Sequence, residues 1–416
     1  MKKKTFAIIG GGLSGCASAL YLKSKGHDVI IYEKDSNIGG VAKDLEFDKK
    51  IYLNGPHYLD PSSLLIKLIK KEKFFKKIIN TKNLLYGSYT DIFGEENISN
   101  DFAHPVSPDK FKKKNILPIK IKNLLERIQQ YPAKTSKKLI SWCLGFENEL
   151  IKIHHECSHV LGFGRLHFKN SDKEIITLKK KSIFFDNLLG IPNINRTNKE
   201  FCIPKNGYNL FFKYIKKHLE KKKVKIELFA KVSIKKINNK LVLSSSKKEI
   251  KADYFIWASN PVPLIDTLEI GKLDNPVIRT EIVTCDLNEN KKKIETRYIQ
   301  IFSKKSNIFR IYFYNIQKKN RIAIEFMLNK KKNDIQKELK FARKILSKFN
   351  YTFTFKNPIY ETKQIRHILF TINDYKKFMK FEKMYKNLNV ISGGWYLTGS
   401  KGKMDHIQKK IDKLNL

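Results

Sequence analysis

The chain has 416 residues, of which 41% are hydrophobic, enough for two domains with ordinary cores. It has no run of about eighteen apolar residues, which argues against a membrane-spanning helix, and its five scattered cysteines, none in a C-x-x-C pair, fit a reduced, cytoplasmic protein. The formal charge is +43, but 74 of the 83 basic residues are lysines spread along the whole length; with no zinc finger, RNA-binding aromatic strand or basic heptad, that pattern speaks against specific nucleic-acid binding and for attraction of an anionic small molecule, or loose contact with an anionic membrane surface.

The chain opens with an apolar run, Thr5–Ile9, then Gly10-Gly11-Gly12-Leu13-Ser14-Gly15, then an apolar helix from Ala17 that ends near Gly26. Asp28–Tyr32 reads as a second parallel strand with Glu33 at its carboxyl end and Lys34 beside it. In this βαβ unit Gly10 permits the tight turn, Gly12 lets backbone approach a pyrophosphate, and Gly15 lets helix and strand pack. The N–H groups of Leu13 and Ser14 at the helix start suit phosphates, and Glu33 suits a ribose. Gly39-Gly40, followed by Val41, would bring a third backbone segment to the cofactor, which points to FAD rather than NAD.

A short strand over residues 51–58 is broken by Gly55-Pro56, which presents His57. The pattern is helical over 62–77, loop-rich to about 118, helical over 121–129 and again over 136–159. Residues 201–222 read as one helix, followed by strands at 224–229 and 232–237 and a small β-meander. Residues 253–258, ending in Ala258, read as a buried parallel strand returning to the first sheet. Four β-rich segments between 277 and 328 suggest an antiparallel sheet, and a helix over 334–349 follows. The chain closes with Ser392-Gly393-Gly394-Trp395 and a helix near 404–414.

In this order the parts resemble the FAD-dependent amine oxidase superfamily, which includes protoporphyrinogen oxidase, carotenoid desaturases and UDP-galactopyranose mutase. The resemblance rests on the glycine turn with Glu33 and Gly39-Gly40, on Pro204 to Leu210 with Val232 beyond, on residues 252–258 and on the closing Gly393-Gly394-Trp395. It implies that the Val232 region lays backbone against the adenine and that the closing segment holds the ribityl and pyrophosphate. Asp405 then stands near where the family often places an acid. Gly55-Pro56-His57 is similar to the tripeptide that sets a histidine beside the flavin in UDP-galactopyranose mutases, so His57 is a catalytic candidate.

The expected fold is α/β, with a Rossmann-like FAD-binding domain assembled from residues 1–60, 200–270 and 355–416. Residues 61–199 and 271–354 would form a mixed α+β substrate domain with an antiparallel sheet. In a chain with only nine arginines, Arg165 and Arg310 are candidates for bidentate contact with a phosphate or carboxylate, with Tyr312 on the face of Arg310. Arg310 is also a catalytic candidate. The expected activity is hydride transfer from a small, anionic substrate to flavin. The alternatives are a flavin-dependent sugar-nucleotide isomerase acting on a nucleotide sugar, and a non-catalytic binding protein similar to the GDP dissociation inhibitors.

Two competing motifs are set aside. His155-Glu156-Cys157-Ser158-His159 reads H-E-x-x-H, but the third histidine of the longer zinc motif is replaced by Arg165, and no metal site is assigned. Lys2-Lys3-Lys4 with Leu13-Ser14-Gly15-Cys16 is similar to a lipoprotein signal, but three consecutive glycines weaken its apolar region.

Overall fold

A computed structural model describes residues 2–55, 58–83, 85–99, 120–143, 145–169, 171–190, 200–237, 240–274, 277–288, 297–328, 334–351, 354–384, 388–397 and 399–414. The chain divides into two units. One is formed by Met1–Lys82, Glu200–Asp274 and Asp374–Leu416, the other by Asn83–Lys199 and Asn275–Asn373.

In the first unit a five-stranded sheet has the order Val390–Ser392, Tyr254–Trp257, Thr5–Ile9, Asp28–Tyr32, Lys225–Glu227, and every neighbouring pair is parallel. Apolar and β-branched residues fill its central strands because helices cover both faces of such a sheet. Phe6, Ala7, Ile8, Val29, Ile31 and Ile256 are buried. The Leu13–Ser24 helix carries Gly15, Ala17, Ser18 and Ala19 among its buried residues, small side chains that let it lie close to the strands. Register fixes the functional edge. Ile9 pairs with Tyr32 on one side and Trp257 on the other, Trp257 pairs with Ser392, and Tyr32 with Glu227. Gly10, Glu33, Ala258 and Gly393 therefore leave the sheet at one carboxyl edge.

The second unit holds a seven-stranded sheet in which Arg297–Phe302 runs parallel to Leu85–Thr90 and the other pairs are antiparallel. Alternation gives it two different faces. On one, Val283, Cys285, Ile299, Ile301, Ile311, Phe313, Ile322 and Ile324 pack with Leu339, Ala342, Ile345 and Leu346 of the Ile335–Lys348 helix. The other face carries Gln300, Arg310, Tyr312, Tyr314, Arg321 and Glu325.

Several sequence expectations are corrected. Residues 200–204 form a strand, Glu200–Pro204, paired in a two-stranded sheet with Ile79–Asn83, and the helix starts only at Tyr208, because Gly207 at φ 87 breaks the approach. The helical period over 136–159 yields one α-helix, Ala133–Trp142, followed by 3-10 turns. Strands Leu85–Thr90 and Asn97–Ser99 lie where a loop-rich stretch was expected, and the first of them makes the sheet mixed. The Thr354–Ile368 strand pairs with Val277–Asn288 and belongs to the second unit, so the last segment of the first unit starts at Asp374, not at residue 355.

The Tyr208–Lys221 helix depends on a carboxylate distant in sequence. Asp44 Oδ2 accepts the Asn209 N–H at 2.7 Å, while the Asp44 N–H donates to Asn209 Oδ1 at 3.1 Å, a reciprocal cap. A Cβ on Gly207 would lie 2.3 Å from Asp44 Oδ2, so glycine is required there. Burial raises the Asp44 carboxyl to about 6 from 3.8, partly offset by the N–H groups of Asn209 and Tyr208. A raised acid stabilises the fold below its unfolded pKa and loses that contribution as pH rises through the folded value. Stability should therefore fall by about 2 to 3 kcal/mol between about pH 4 and pH 7 on account of Asp44. Denaturant titrations across that range should show the slope in wild type and its loss in Asp44→Asn.

Candidate functional site

Two constellations stand out, one in each unit. The first lies at the carboxyl edge of the parallel sheet. Glu33 is buried, and its carboxylate is fixed by two backbone donors: the Gly11 N–H at 2.7 Å on Oε2 and the Asp35 N–H at 3.0 Å on Oε1. Each oxygen keeps a further lone pair for a ligand hydroxyl. The Gly39 N–H donates to Gly11 O at 2.9 Å, and the Ala230 N–H donates to Glu33 O at 2.8 Å. These bonds bring the Gly39-Gly40 segment and the approach to Val232 to the same corner. Val232 is half-buried there, whereas Lys34 and Val41 are exposed, Val41 to 80%.

The glycines of the turn separate into two kinds. A Cβ on Gly15 would sit 1.9 Å from Gly10 O, and Gly10 itself has φ 103 with Ala258 backbone 3.3 Å from its Cβ position. Internal packing explains both. Gly12 is different: its φ is −75°, open to any residue, and a Cβ there would meet nothing nearer than Gly40 Cα at 3.9 Å. Nothing within the described residues requires glycine at this position. Gly12 also starts the Leu13–Ser24 helix without a side-chain cap, so the first-turn N–H groups, Leu13 and Ser14 among them, are met by no capping side chain. The surroundings fit a dinucleotide phosphate.

The closing segment reaches the same edge. Gly394 has φ 60, and a Cβ there would meet the His406 ring at 2.9 Å. Trp395 follows it. Asp405, carried over as the acid of the last helix, is held by Lys401 Nζ at 2.6 Å. Gly55 is buried at φ 105, while Pro56 and His57 lie outside the described residues.

The second constellation is the polar face of the mixed sheet. Tyr298 pairs in register with Tyr312, and Gln300 with Arg310, so all four share a face. The Arg165 guanidinium lies 4.8 Å from the Tyr298 ring centroid and that of Arg310 lies 6.0 Å from it. A Cβ on Gly162 would come 2.7 Å from Gln300, so a glycine is what lets the Arg165 turn reach the sheet. Arg165, Arg310 and Tyr312, singled out far apart in sequence, thus come together. Arg310 is paired with a buried carboxylate, Glu325, which holds its pKa above the ordinary arginine value despite burial. Its charge is balanced within the sheet, and Tyr312 is fully buried. Tyr298 O–H donates to Gln300 Oε1 at 2.7 Å and Gln300 Nε2 donates to Phe309 O at 2.8 Å, which fixes the ring between the two guanidinium groups.

The H-E-x-x-H motif does not form a helical metal face. His155–His159 is a 3-10 turn, where residues four apart do not align. The His155 ring packs on His154 at 4.6 Å, and His159 is exposed with its ring nitrogen on Glu156 O. Among the described residues no group of three His, Cys, Asp or Glu side chains is placed to hold a metal.

Residues 8–70 match the family model of NAD(P)-binding Rossmann-like domains, so the first unit contains a Rossmann-like domain. Searched against solved structures, the whole chain superposes on reduced UDP-galactopyranose mutase with TM-score 0.67 at 12% identity, covering 99% of this chain and 96% of that one. The chain shares the fold of that mutase. A putrescine oxidase variant shares it with TM-score 0.56 at 11% identity over 99% and 98% of the two chains. A fatty acid isomerase from P. acnes does so with TM-score 0.56 at 14% identity over 100% and 99%. Sequence likeness to curated proteins is confined to a short stretch. A 4,4'-diapophytoene desaturase of Staphylococcus aureus (strain COL) is 42% identical over 50 residues, 12% of this chain and 10% of the desaturase. A 4-hydroxybenzoate brominase (decarboxylating) of Pseudoalteromonas luteoviolacea is 36% identical over 74 residues, 18% of this chain and 14% of the brominase.

The division among the glycines of the turn is testable. Gly12→Ala should fold with wild-type thermal stability and lose dinucleotide binding by at least about tenfold, whereas Gly15→Ala should destabilise the protein by more than about 3 kcal/mol or prevent folding. Thermal melts paired with cofactor titration distinguish the two; equal destabilisation by both would refute the assignment of Gly12 to a ligand.

Proposed function

We propose that the protein is a flavin-dependent enzyme that binds FAD along the carboxyl edge of the parallel sheet and acts on a small anionic substrate, moving a hydride from a C–H bond to the flavin. The observation that carries this reading is Gly12, a glycine required by neither φ nor internal packing, beside uncapped helix N–H groups and the fixed carboxylate of Glu33. Glu33 would accept hydrogen bonds from the ribose, the Gly10–Gly15 turn and Gly40 would meet the diphosphate, the Val232 and Ala258 backbone would border the adenine end, and Gly393 to Trp395 would line the remainder. When bound, FAD supplies a two-electron acceptor whose chemistry is its own.

The chain's own residues hold and orient the substrate. Arg165 and the buried Arg310–Glu325 pair set a planar cation beside Tyr298, suited to a phosphate or carboxylate. Arg310, held by Glu325, positions Tyr298, and Arg165, whose guanidinium lies 4.8 Å from the Tyr298 ring centroid, contacts the substrate. The high formal charge raises the local concentration of such an anion.

A second reading, a flavin-dependent isomerase of nucleotide sugars, is favoured by Arg165 beside Tyr298, which suits a phosphate, together with the fold shared with UDP-galactopyranose mutase.

Purified protein should show flavin absorption bands that dithionite bleaches; colourless protein that cannot be reconstituted with FAD would defeat both readings and favour a binding protein. Bleaching by a substrate supports the redox enzyme, and turnover of UDP-galactose only after reduction supports the isomerase. Arg165→Met should raise KM for the anionic substrate by about tenfold or more while leaving the flavin spectrum unchanged.

A further inference from the structure

The closing helix, Gly399–Asp412, holds a cation without a counter-charge. The other basic groups of the helix either face a carboxylate, Lys401 with Asp405 at 2.6 Å, Lys410 with Glu382 at 3.0 Å and His406 with Glu382 at 3.4 Å, or, as Lys409, are exposed to water. Ser392 Oγ also donates to Glu382, at 3.1 Å. Lys403 is the exception. Its ammonium lies 4.6 Å from the Trp395 ring centroid, and among the described residues no carboxylate pairs with it. Burial with no opposing charge lowers its pKa from the ordinary lysine value. Trp395 Nε1 is buried and has no acceptor among the described residues, and the first turn of the helix contains no acid to meet its positive end.

Two half-buried side chains, both donors and one of them charged, thus stand in contact with no acceptor between them, on the segment that follows Ser392 at the carboxyl edge of the parallel sheet. A buried donor without an acceptor and a buried ammonium without an anion are each costly, and one oxyanion would relieve both. A purely packing role for Lys403 would be served as well by Met, with no desolvated charge.

We propose that Lys403 Nζ and Trp395 Nε1 form a two-donor subsite for a phosphate or carboxylate oxyanion. The cation–π contact holds the ammonium over the indole and leaves its N–H groups for the ligand. Two sources have this chemistry, the diphosphate of the cofactor and the anionic group of the substrate. The first rests on the FAD reading above; the subsite itself does not.

The test titrates the full chain with inorganic pyrophosphate, ADP, FAD and riboflavin by calorimetry, together with tryptophan emission. Lys403→Met should weaken pyrophosphate binding about ten- to hundredfold and Trp395→Phe by a smaller factor, while Lys403→Arg retains it. If the cofactor is the source, Lys403→Met weakens FAD and ADP but not riboflavin. If the substrate is the source, FAD is bound as in wild type and only pyrophosphate binding to the FAD-loaded protein falls. Unchanged affinity for pyrophosphate, ADP and FAD in a folded Lys403→Met protein overturns the subsite. Should that variant not fold, the emission of Trp395, assigned by difference from Trp395→Phe, must change on adding pyrophosphate to wild type; no change also overturns it. A wild-type protein that takes up neither FAD nor riboflavin, yet binds pyrophosphate through Lys403, would defeat the flavin reading and leave the subsite standing.

Discussion

The candidate nucleotide site depends on a carboxylate between two backbone N–H groups. Glu33 leaves the second strand at the level where Gly10 leaves the first, and its two oxygens tie the Gly11 and Asp35 N–H groups to that strand end. The turn is thereby held open with its remaining donors directed outward. The Gly39 N–H on Gly11 O then draws in a third segment, and the Ala230 N–H on Glu33 O a fourth. A preorganised arrangement of this kind needs little rearrangement to receive a phosphate and a ribose, and that is how a rigid scaffold lowers the entropic cost of binding.

The second unit achieves a comparable end by alternation. Residues of one parity along its sheet are aliphatic and aromatic and pack on a single helix; residues of the other parity are Gln300, Arg310, Tyr312, Tyr314, Arg321 and Glu325. A face of buried polar groups is costly unless each is paired, and here ion pairs and a hydrogen-bonded tyrosine pair them: Arg310 with Glu325, Arg321 with Asp286 at 2.7 Å, Tyr314 with Thr284 at 2.6 Å. A sheet built only for stability would carry apolar residues on both covered faces.

Legibility in the sequence followed the range of the interactions. The glycine turn, Glu33 and Gly39-Gly40 could be read because their spacing within one βαβ unit is set by local backbone geometry. The second arginine-bearing turn was read only as a residue type, and the convergence of Arg165 and Arg310 on Tyr298 needed strand register. The strand over 200–204 was missed because its apolar residues run straight into those of the following helix, and only the φ of Gly207 divides them. The 3-10 turn at His155–His159 carries the composition of an α-helix, and only its backbone dispels the metal motif.

By itself the sequence determined an α/β protein with a nucleotide-binding βαβ unit at its start, since glycine conformation, strand alternation and helix termini act over a few residues. Tertiary structure alone decided which glycines are demanded by internal packing, that Asp44 caps a helix some 165 residues away, and that no carboxylate among the described residues pairs with Lys403. Each of these depends on which atoms lie within a few ångströms after folding, and electrostatic and steric demands at that range leave no periodic trace along the chain.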